Sequence, residues 1–83
     1  MTIRDLLENG IELQGTYCIK RWCGEYETYT TLAEGHDFEC EVYKIKSKYL
    51  DAYITYLYVA DNKLNIEIRY EGRLNKHDNY YND

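Results

Sequence analysis

The sequence has no hydrophobic run long enough to cross a membrane, and its opening, MTIRDLLENG, contains no apolar stretch typical of a signal peptide. It also has no phosphate-binding loop and no dinucleotide-binding glycine pattern, so the sequence gives no sign of a nucleotide-dependent enzyme of either kind. We therefore expect a cytoplasmic protein that makes no membrane contact and carries no cofactor.

Cysteine and histidine are scarce and poorly spaced for chemistry. The three cysteines are an odd number and give no zinc-ligand spacing with the two histidines, so reduced, intracellular thiols are expected. Cys18 and Cys40 are predicted to be small buried residues. A nucleophile and base pair would need His36 or His77, and no third group accompanies either. The sequence therefore predicts no catalytic residue, no metal site and no enzyme.

Chain length and net charge limit the possible domain organisation and the possible binding partners. Eighty-three residues make one domain, and a core of this size gives only about 3–5 kcal/mol of net stability. Eleven tyrosines against one phenylalanine and one tryptophan suit half-buried surfaces as well as cores. The net charge of −5 disfavours direct nucleic-acid binding. We predict a single globular domain over residues 1–71 and a polar tail over 72–83.

The clearest pattern lies between Tyr53 and Tyr70, where two alternating strands flank Asp61-Asn62. A tight turn at these two residues predicts a β-hairpin. The pairs expected on the core face are Val59 with Leu64, Leu57 with Ile66, Thr55 with Ile68 and Tyr53 with Tyr70. The pairs expected on the other face are Tyr58 with Asn65, Tyr56 with Glu67 and Ile54 with Arg69. A merely solvated face would not need this run of Ile54, Tyr56 and Tyr58.

The chain start predicts a short helix followed by a long strand. Thr2 and Asp5 form a capping-box pattern, and Gly10 followed by Ile11 fits a Schellman stop. From Ile11 to Lys20 the apolar residues alternate, which predicts a strand with a bulge or bend at Gly15. Gly24 and a strand over Glu25–Leu32 then complete a second hairpin. The alternation of the first strand places Trp22 on the polar side of that strand.

Residues 33–52 give the least distinct pattern. Ala33–Asp37 predicts a loop, and the alternation that follows favours a strand over Asp37–Lys46. A helix is the alternative, because Val42, Ile45 and Tyr49 recur at three- and four-residue steps. Four acidic residues precede three lysines here, and solvated charges on an edge strand are their simplest explanation. These acidic residues are Glu34, Asp37, Glu39 and Glu41.

Together these elements predict an α+β domain: a short N-terminal helix followed by a bent antiparallel sheet of four to five strands. Whether the helix covers the Tyr56/Tyr58 face or the opposite one stays open. If it covers the tyrosines, no binding surface remains there. The expected core residues are Leu6, Leu7, Ile11, Leu13, Tyr17, Ile19, Leu32, Leu57, Val59, Leu64, Ile66 and Ile68.

The opening TIRDLLENGIELQG and the closing ITYLYVADNKLNIEI resemble a group of small, mostly uncharacterised proteins carried by phages, plasmids and other mobile elements of Firmicutes. These proteins share a start of short helix, glycine and apolar strand, and an end of Tyr-x-Tyr, turn and Ile-Glu-Ile. The resemblance implies a cytoplasmic location in a bacterial host cell. Small acidic proteins of this kind include inhibitors of host defence systems such as CRISPR nucleases. The resemblance assigns no functional residue.

Two functions follow as hypotheses. The first is a non-enzymatic protein-binding inhibitor, whose acidic groups replace phosphates in the basic channel of a nucleic-acid enzyme and whose tyrosines give rigid contact area. The alternative is a self-associating structural module, in which the tyrosine face or an edge strand pairs with a second copy. A third hypothesis, a small barrel that stacks single-stranded nucleic acid on its tyrosines and Trp22, is opposed by the net charge. The residues predicted for protein binding are Tyr56, Tyr58, Glu67, Glu34, Asp37, Glu39 and Glu41.

Overall fold

The structure is a computed structural model that describes residues 1–70, so the predicted tail lies outside the described residues. The helices are α1 (Ile3–Glu8), α2 (Phe38–Glu41) and α3 (Ser47–Leu50), with a 3₁₀ turn at Val42–Lys44. The strands are β1 (Tyr17–Cys23), β2 (Thr28–Gly35), β3 (Tyr53–Ala60) and β4 (Lys63–Arg69). The predicted α+β class, with a short N-terminal helix before a four-stranded sheet, is confirmed.

The sheet has the strand order β2-β1-β4-β3 and is mixed rather than wholly antiparallel. Each hairpin is antiparallel, but the two inner strands, β1 and β4, run parallel, which the sequence patterns did not predict. The two edge strands, β2 and β3, therefore point the same way from opposite edges. The chain between them must return across one face of the sheet, and it does so as the short helices between residues 36 and 52.

The strand predicted over Asp37–Lys46 is therefore wrong, and the helical alternative is correct. Asp37 begins α2 by accepting a hydrogen bond of 3.3 Å from the backbone nitrogen of Cys40. Cys40 itself is exposed, so its predicted burial is also wrong, whereas Cys18 is buried. The apolar residues recur at three- and four-residue steps because a helical segment that crosses the sheet must bury one side against it. The residues that do so are Phe38, Ile45, Tyr49 and Leu50.

Both predicted ends of α1 are confirmed. Thr2 Oγ1 accepts a hydrogen bond from the Asp5 nitrogen, and the Asp5 carboxylate accepts one from the Thr2 nitrogen, each at 3.0 Å. At the other end, Gly10 has φ +78°, and the nitrogens of Gly10 and Ile11 donate to carbonyls of the last turn. These are the two bonds of a Schellman motif.

The two strands of the first hairpin begin later than predicted. Residues 11–16 form no strand, because Gly15 has φ +81° and turns the chain before β1 starts at Tyr17. Ile11 is consequently exposed rather than part of the core. Residues 24–27 form the turn between β1 and β2, with Glu27 at φ +50°, so β2 starts at Thr28 and continues to Gly35.

The hairpin between β3 and β4 matches its prediction near the turn and departs from it farther away. Asp61 and Asn62 have φ of +55° and +59°, and the predicted register holds from Tyr56 to Ala60. A bulge beside Thr55 then shifts the pairing by one residue. The observed pairs Ile54 with Ile68 and Tyr53 with Arg69 replace the three pairs predicted at this end. Ile54 therefore packs against the core instead of lying beside Tyr56.

The helices cover one face of the sheet, called here the covered face; its opposite is the open face. Leu7, Leu13 and Leu64 are only partly buried, and Leu57 and Val59 are exposed because they extend past the helices on edge strand β3. The predicted place of Leu57 and Val59 in the core is wrong, whereas Leu6 is buried as predicted and Leu7, Leu13 and Leu64 pack against the core. The core residues are Ile3, Tyr17, Ile19, Leu32, Ala33, Phe38, Ile45, Tyr49, Leu50, Ile66 and Ile68.

Candidate functional site

The open face is a small array of polar and aromatic side chains. Strand register places them in rows that run across the sheet, because residues opposite each other project to the same side. One row contains Glu34, Cys18, Asn65 and Tyr58 in the strand order β2-β1-β4-β3. The next contains Thr31, Lys20, Glu67 and Tyr56. A third contains the pair Tyr29 and Trp22.

Five aromatic rings of this face are exposed, and one of them, Tyr53, lies opposite Arg69 near the start of β3. Trp22 and Tyr29 meet edge to face, with ring centroids 5.0 Å apart, at the β1–β2 side. Tyr56 and Tyr58 stand on β3 with 64% and 39% of their surface exposed. The Tyr56/Tyr58 face is thus the one that the helices leave uncovered, which decides the question that the sequence left open.

The side chains between these rings are buried although no helix lies over them. Asn65 and Glu67 on β4 are only 4% and 6% exposed. The Asn65 amide donates to the carbonyls of Ala60 and Lys63 at 3.3 and 3.1 Å, which ties it to the β3–β4 turn. Its oxygen accepts a hydrogen bond of 3.5 Å from the Lys20 ammonium. The centre of the open face is therefore an ordered polar network.

Lys20 connects the two edges of this face. Its ammonium nitrogen lies 4.5 Å from the ring centre of Tyr29 on β2 and 5.2 Å from that of Tyr58 on β3. A hydrogen bond to Tyr58 raises the pKa of Lys20 and outweighs the opposing effect of burial. The charged ammonium is therefore kept, and it holds rings from opposite strands over the inner strands.

Tyr29 is fixed by Glu67. Desolvation, followed by the charge of Glu67 and a hydrogen bond to its carboxylate, raises the pKa of Tyr29. The folded chain therefore favours the protonated hydroxyl of Tyr29, with Glu67 on β4 as a cause of that preference. Tyr29 and Tyr58 are held before any partner arrives, and ordering them on binding costs little further entropy.

The acidic residues predicted for binding divide between two places. Glu34 lies on the open face, in the same row as Tyr58. Asp37, Glu39 and Glu41 belong to the start and body of α2 and do not join this face. Of the predicted set, the structure thus brings together Tyr56, Tyr58, Glu67 and Glu34.

Glu41 has a structural role instead. Its carboxylate accepts a hydrogen bond of 3.0 Å from the Tyr17 hydroxyl and occupies the space where a side chain at position 35 would begin. A Cβ atom at position 35 would lie 1.8 Å from a Glu41 oxygen, so the Glu41 carboxylate would have to move to admit a larger residue there. His36 and Lys44 line the same polar cleft.

Three residues of the open-face network were not among the predicted binding residues. Asn65 was placed on the correct face by hairpin alternation, and its position opposite Tyr58 was a usable signal. Lys20 and Tyr29 carried no such signal. They meet Glu67 only because β1 and β4 run parallel side by side, and no local pattern announces that pairing.

No group of three or more histidine, cysteine, aspartate or glutamate side chains within residues 1–70 is arranged to hold a metal ion. None of the helices that the structure describes has the length and apolar character needed to traverse a bilayer. Comparison with known proteins adds no relative: no family model, no curated protein and no solved structure matches this chain.

Proposed function

We propose that this protein is a non-enzymatic protein-binding module whose open face docks on a basic surface of its partner. The observation that carries the proposal is the set of five exposed aromatic rings around a buried, hydrogen-bonded polar centre on the uncovered side of the sheet. In its specific form, the partner is a nucleic-acid enzyme and the surface is its Lys- and Arg-lined channel, as in a CRISPR nuclease.

Tyrosine and tryptophan are favoured at protein interfaces because they contribute large contact areas at low conformational cost. Here the cost is lower still, since Tyr29 and Tyr58 are already held through Lys20 and Glu67. Tyr56 and Trp22 extend the same surface at its margins. An uncovered sheet face with exposed rings presents the extended contact area that a protein partner uses.

A basic partner follows from the net charge of the chain. The whole chain carries −5, whereas its open face displays Glu34 together with Lys20, Lys63 and Arg69, so the negative charge belongs to the chain rather than to this face. Arginine pairs with carboxylates and stacks on aromatic rings, so both features suit a guanidinium-rich surface. Lys20 already gives one example of a cation held against Tyr29 and Tyr58. The same net charge repels a phosphate backbone, which opposes direct nucleic-acid binding.

The test is affinity capture from a Firmicute lysate with three tagged full-length baits: the native chain, Tyr56→Ala/Tyr58→Ala and Tyr43→Ala. Tyr43 is the matched control because it is an exposed tyrosine on the 3₁₀ turn, outside the open face. Circular dichroism first establishes that all three baits fold. We expect native and Tyr43→Ala baits to retain a nucleic-acid enzyme, and the double variant to bind it at least about tenfold more weakly.

The captured enzyme is then purified and its cleavage or binding of nucleic acid is titrated with the native chain. Inhibition that an excess of nucleic acid relieves supports occupation of the basic channel. Equal capture by all three baits would contradict the open face as the docking surface. Capture of an enzyme whose inhibition nucleic acid does not relieve would support a protein-binding module but contradict binding in the basic channel.

A further inference from the structure

Beyond its bulge at Thr55, the edge strand β3 has none of the usual protection against pairing. From Tyr53 to Ala60 it contains no charged residue, no proline and no glycine. Exposed edges of natural sheets are commonly blocked by charges, above all lysine, or by bulges. The other edge strand, β2, includes Glu34 and has a bulge beside Leu32. An uncharged edge is notable in a chain of net charge −5.

The unprotected part of β3 is short and well defined. At its start, the Ile54 nitrogen donates a hydrogen bond of 2.8 Å to the Met1 carbonyl, and Thr2 bridges to Tyr53. The bulge beside Thr55 follows, and the turn at Asp61 closes the other end. The stretch Tyr56–Ala60 lies between these limits.

Hairpin geometry identifies which backbone groups of this stretch point outward. A two-residue turn is closed by a hydrogen-bonded pair, here Ala60 with Lys63, and such pairs alternate along the hairpin. Tyr58 and Tyr56 therefore bond to β4. The amide and carbonyl groups of Leu57 and Val59 point to the outer edge, where they form a ladder of two donors and two acceptors.

We propose that two copies of this chain pair antiparallel through β3, with Tyr58 on the two-fold axis, to form a continuous eight-stranded sheet. In this register Leu57 lies opposite Val59 of the second copy, and Val59 lies opposite the second copy's Leu57. Both pairs are hydrogen-bonded pairs, so all four outward groups of each edge find partners. A shift by one pair in either direction leaves some of them unpaired.

The side chains complement each other in the same register. Leu57 and Val59, which are 46% and 75% exposed, meet their counterparts on the covered-face side and become buried. On the open face, the large Tyr56 lies opposite the small Ala60 of the second copy, and the two Tyr58 rings meet at the axis. Cross-strand aromatic and aliphatic pairs of this kind stabilise sheets.

The stretch is self-complementary, which identifies a second copy as the occupant, and its lack of charge permits the pairing. Two chains of −5 repel each other, so self-pairing needs a contact line where no acidic residues oppose each other. The stretch Tyr56–Ala60 supplies such a line. Pairing would also bring two open faces into one continuous surface.

The first test is sedimentation of the full chain over micromolar to millimolar concentrations. We expect the mass to rise from one chain of 10.0 kDa toward twice that value. Val59→Lys should weaken self-association by roughly tenfold or more, because it places an ammonium group beside Leu57 of each partner. Thr28→Lys is the matched control, since it adds the same charge to the other edge strand.

The second test examines the register with the chain carrying Cys23→Ser and Cys40→Ser. Residues opposite each other in a non-hydrogen-bonded pair have Cα atoms about 4.5 Å apart, within the range of about 4.4 to 6.8 Å for a disulfide. Tyr58→Cys should therefore cross-link two copies under mild oxidation. Tyr56→Cys should not, because it lies opposite Ala60 of the second copy.

A chain that remains monomeric throughout would overturn the inference and leave the edge to a strand of some other protein. So would a dimer that Val59→Lys leaves intact, or equal cross-linking of both cysteine variants. The inference does not rest on the proposed function. Val59 projects to the side opposite Tyr56 and Tyr58, so its substitution separates loss of pairing from loss of partner binding.

Discussion

The two faces of the sheet are almost equally buried at their centres, but in different ways. Ile66 on the covered face is fully buried beneath helices, whereas Glu67, the next residue along β4, is 6% exposed on a face without helices. Helices exclude water on one side. On the other side, tyrosine and tryptophan rings from neighbouring strands and the edges do so. Low exposure alone therefore does not identify the hydrophobic core.

The two faces differ in whether they can bind a partner. The covered face is apolar and already has its partner within the chain. The open face combines a rigid, hydrogen-bonded centre with exposed rings, so it is ordered without being closed. An ordered surface that still exposes aromatic area is suited to binding, and this difference between the faces underlies the proposed function.

The two faces should differ most in the loss of stability when a side chain is truncated to alanine. Ile66→Ala removes a fully buried side chain beneath the helices and should lower the free energy of unfolding by about 2–5 kcal/mol. Tyr56→Ala, on the exposed margin of the open face, should cost less than about 1 kcal/mol. Urea unfolding followed by circular dichroism measures both. Equal losses would mean that the open face is part of the core.

Glu67→Ala should have an intermediate effect, smaller than that of Ile66→Ala and larger than that of Tyr56→Ala, because it removes a side chain that is only 6% exposed and leaves a gap there. Tyr29→Phe, which removes only a hydroxyl group, should cost less. Urea unfolding of the two variants and of their combination gives the coupling between them. A coupling of zero would contradict the network inferred here.

The smallest effect is an alkaline pH dependence. The pKa of Tyr29 is raised in the folded chain by desolvation and by Glu67, so the folded state favours the protonated phenol. Its contribution to stability is present below the unfolded pKa of about 10 and is lost as pH rises through the raised value. Ultraviolet titration against Tyr29→Phe should show this late ionisation. Glu67→Gln should lower the Tyr29 pKa, and an unchanged value would exclude the Glu67 contribution.

Local features were predictable because a few neighbouring residues decide them. Thr2 with Asp5, and Gly10 with Ile11, form the two ends of α1 with bonds that span one turn. The turn at Asp61-Asn62 fixes the register of the hairpin as far as Tyr56. Beyond it, the bulge beside Thr55 moved Ile54 to the covered face, and no sequence signal marked that position.

The sequence by itself determined the elements of the hairpin, the alternation of its two faces and the presence of tyrosines with Glu67 on one of them. Alternation separates two faces, but it does not say which one the helices meet. Only the tertiary structure decided that, because the choice depends on the order β2-β1-β4-β3 and on a crossing segment that returns over one side. The contact of Lys20 with Asn65 arises in the same way. It joins residues 45 positions apart, and it exists because β1 and β4 pair side by side, which buries Ile19 and Ile66 away from water.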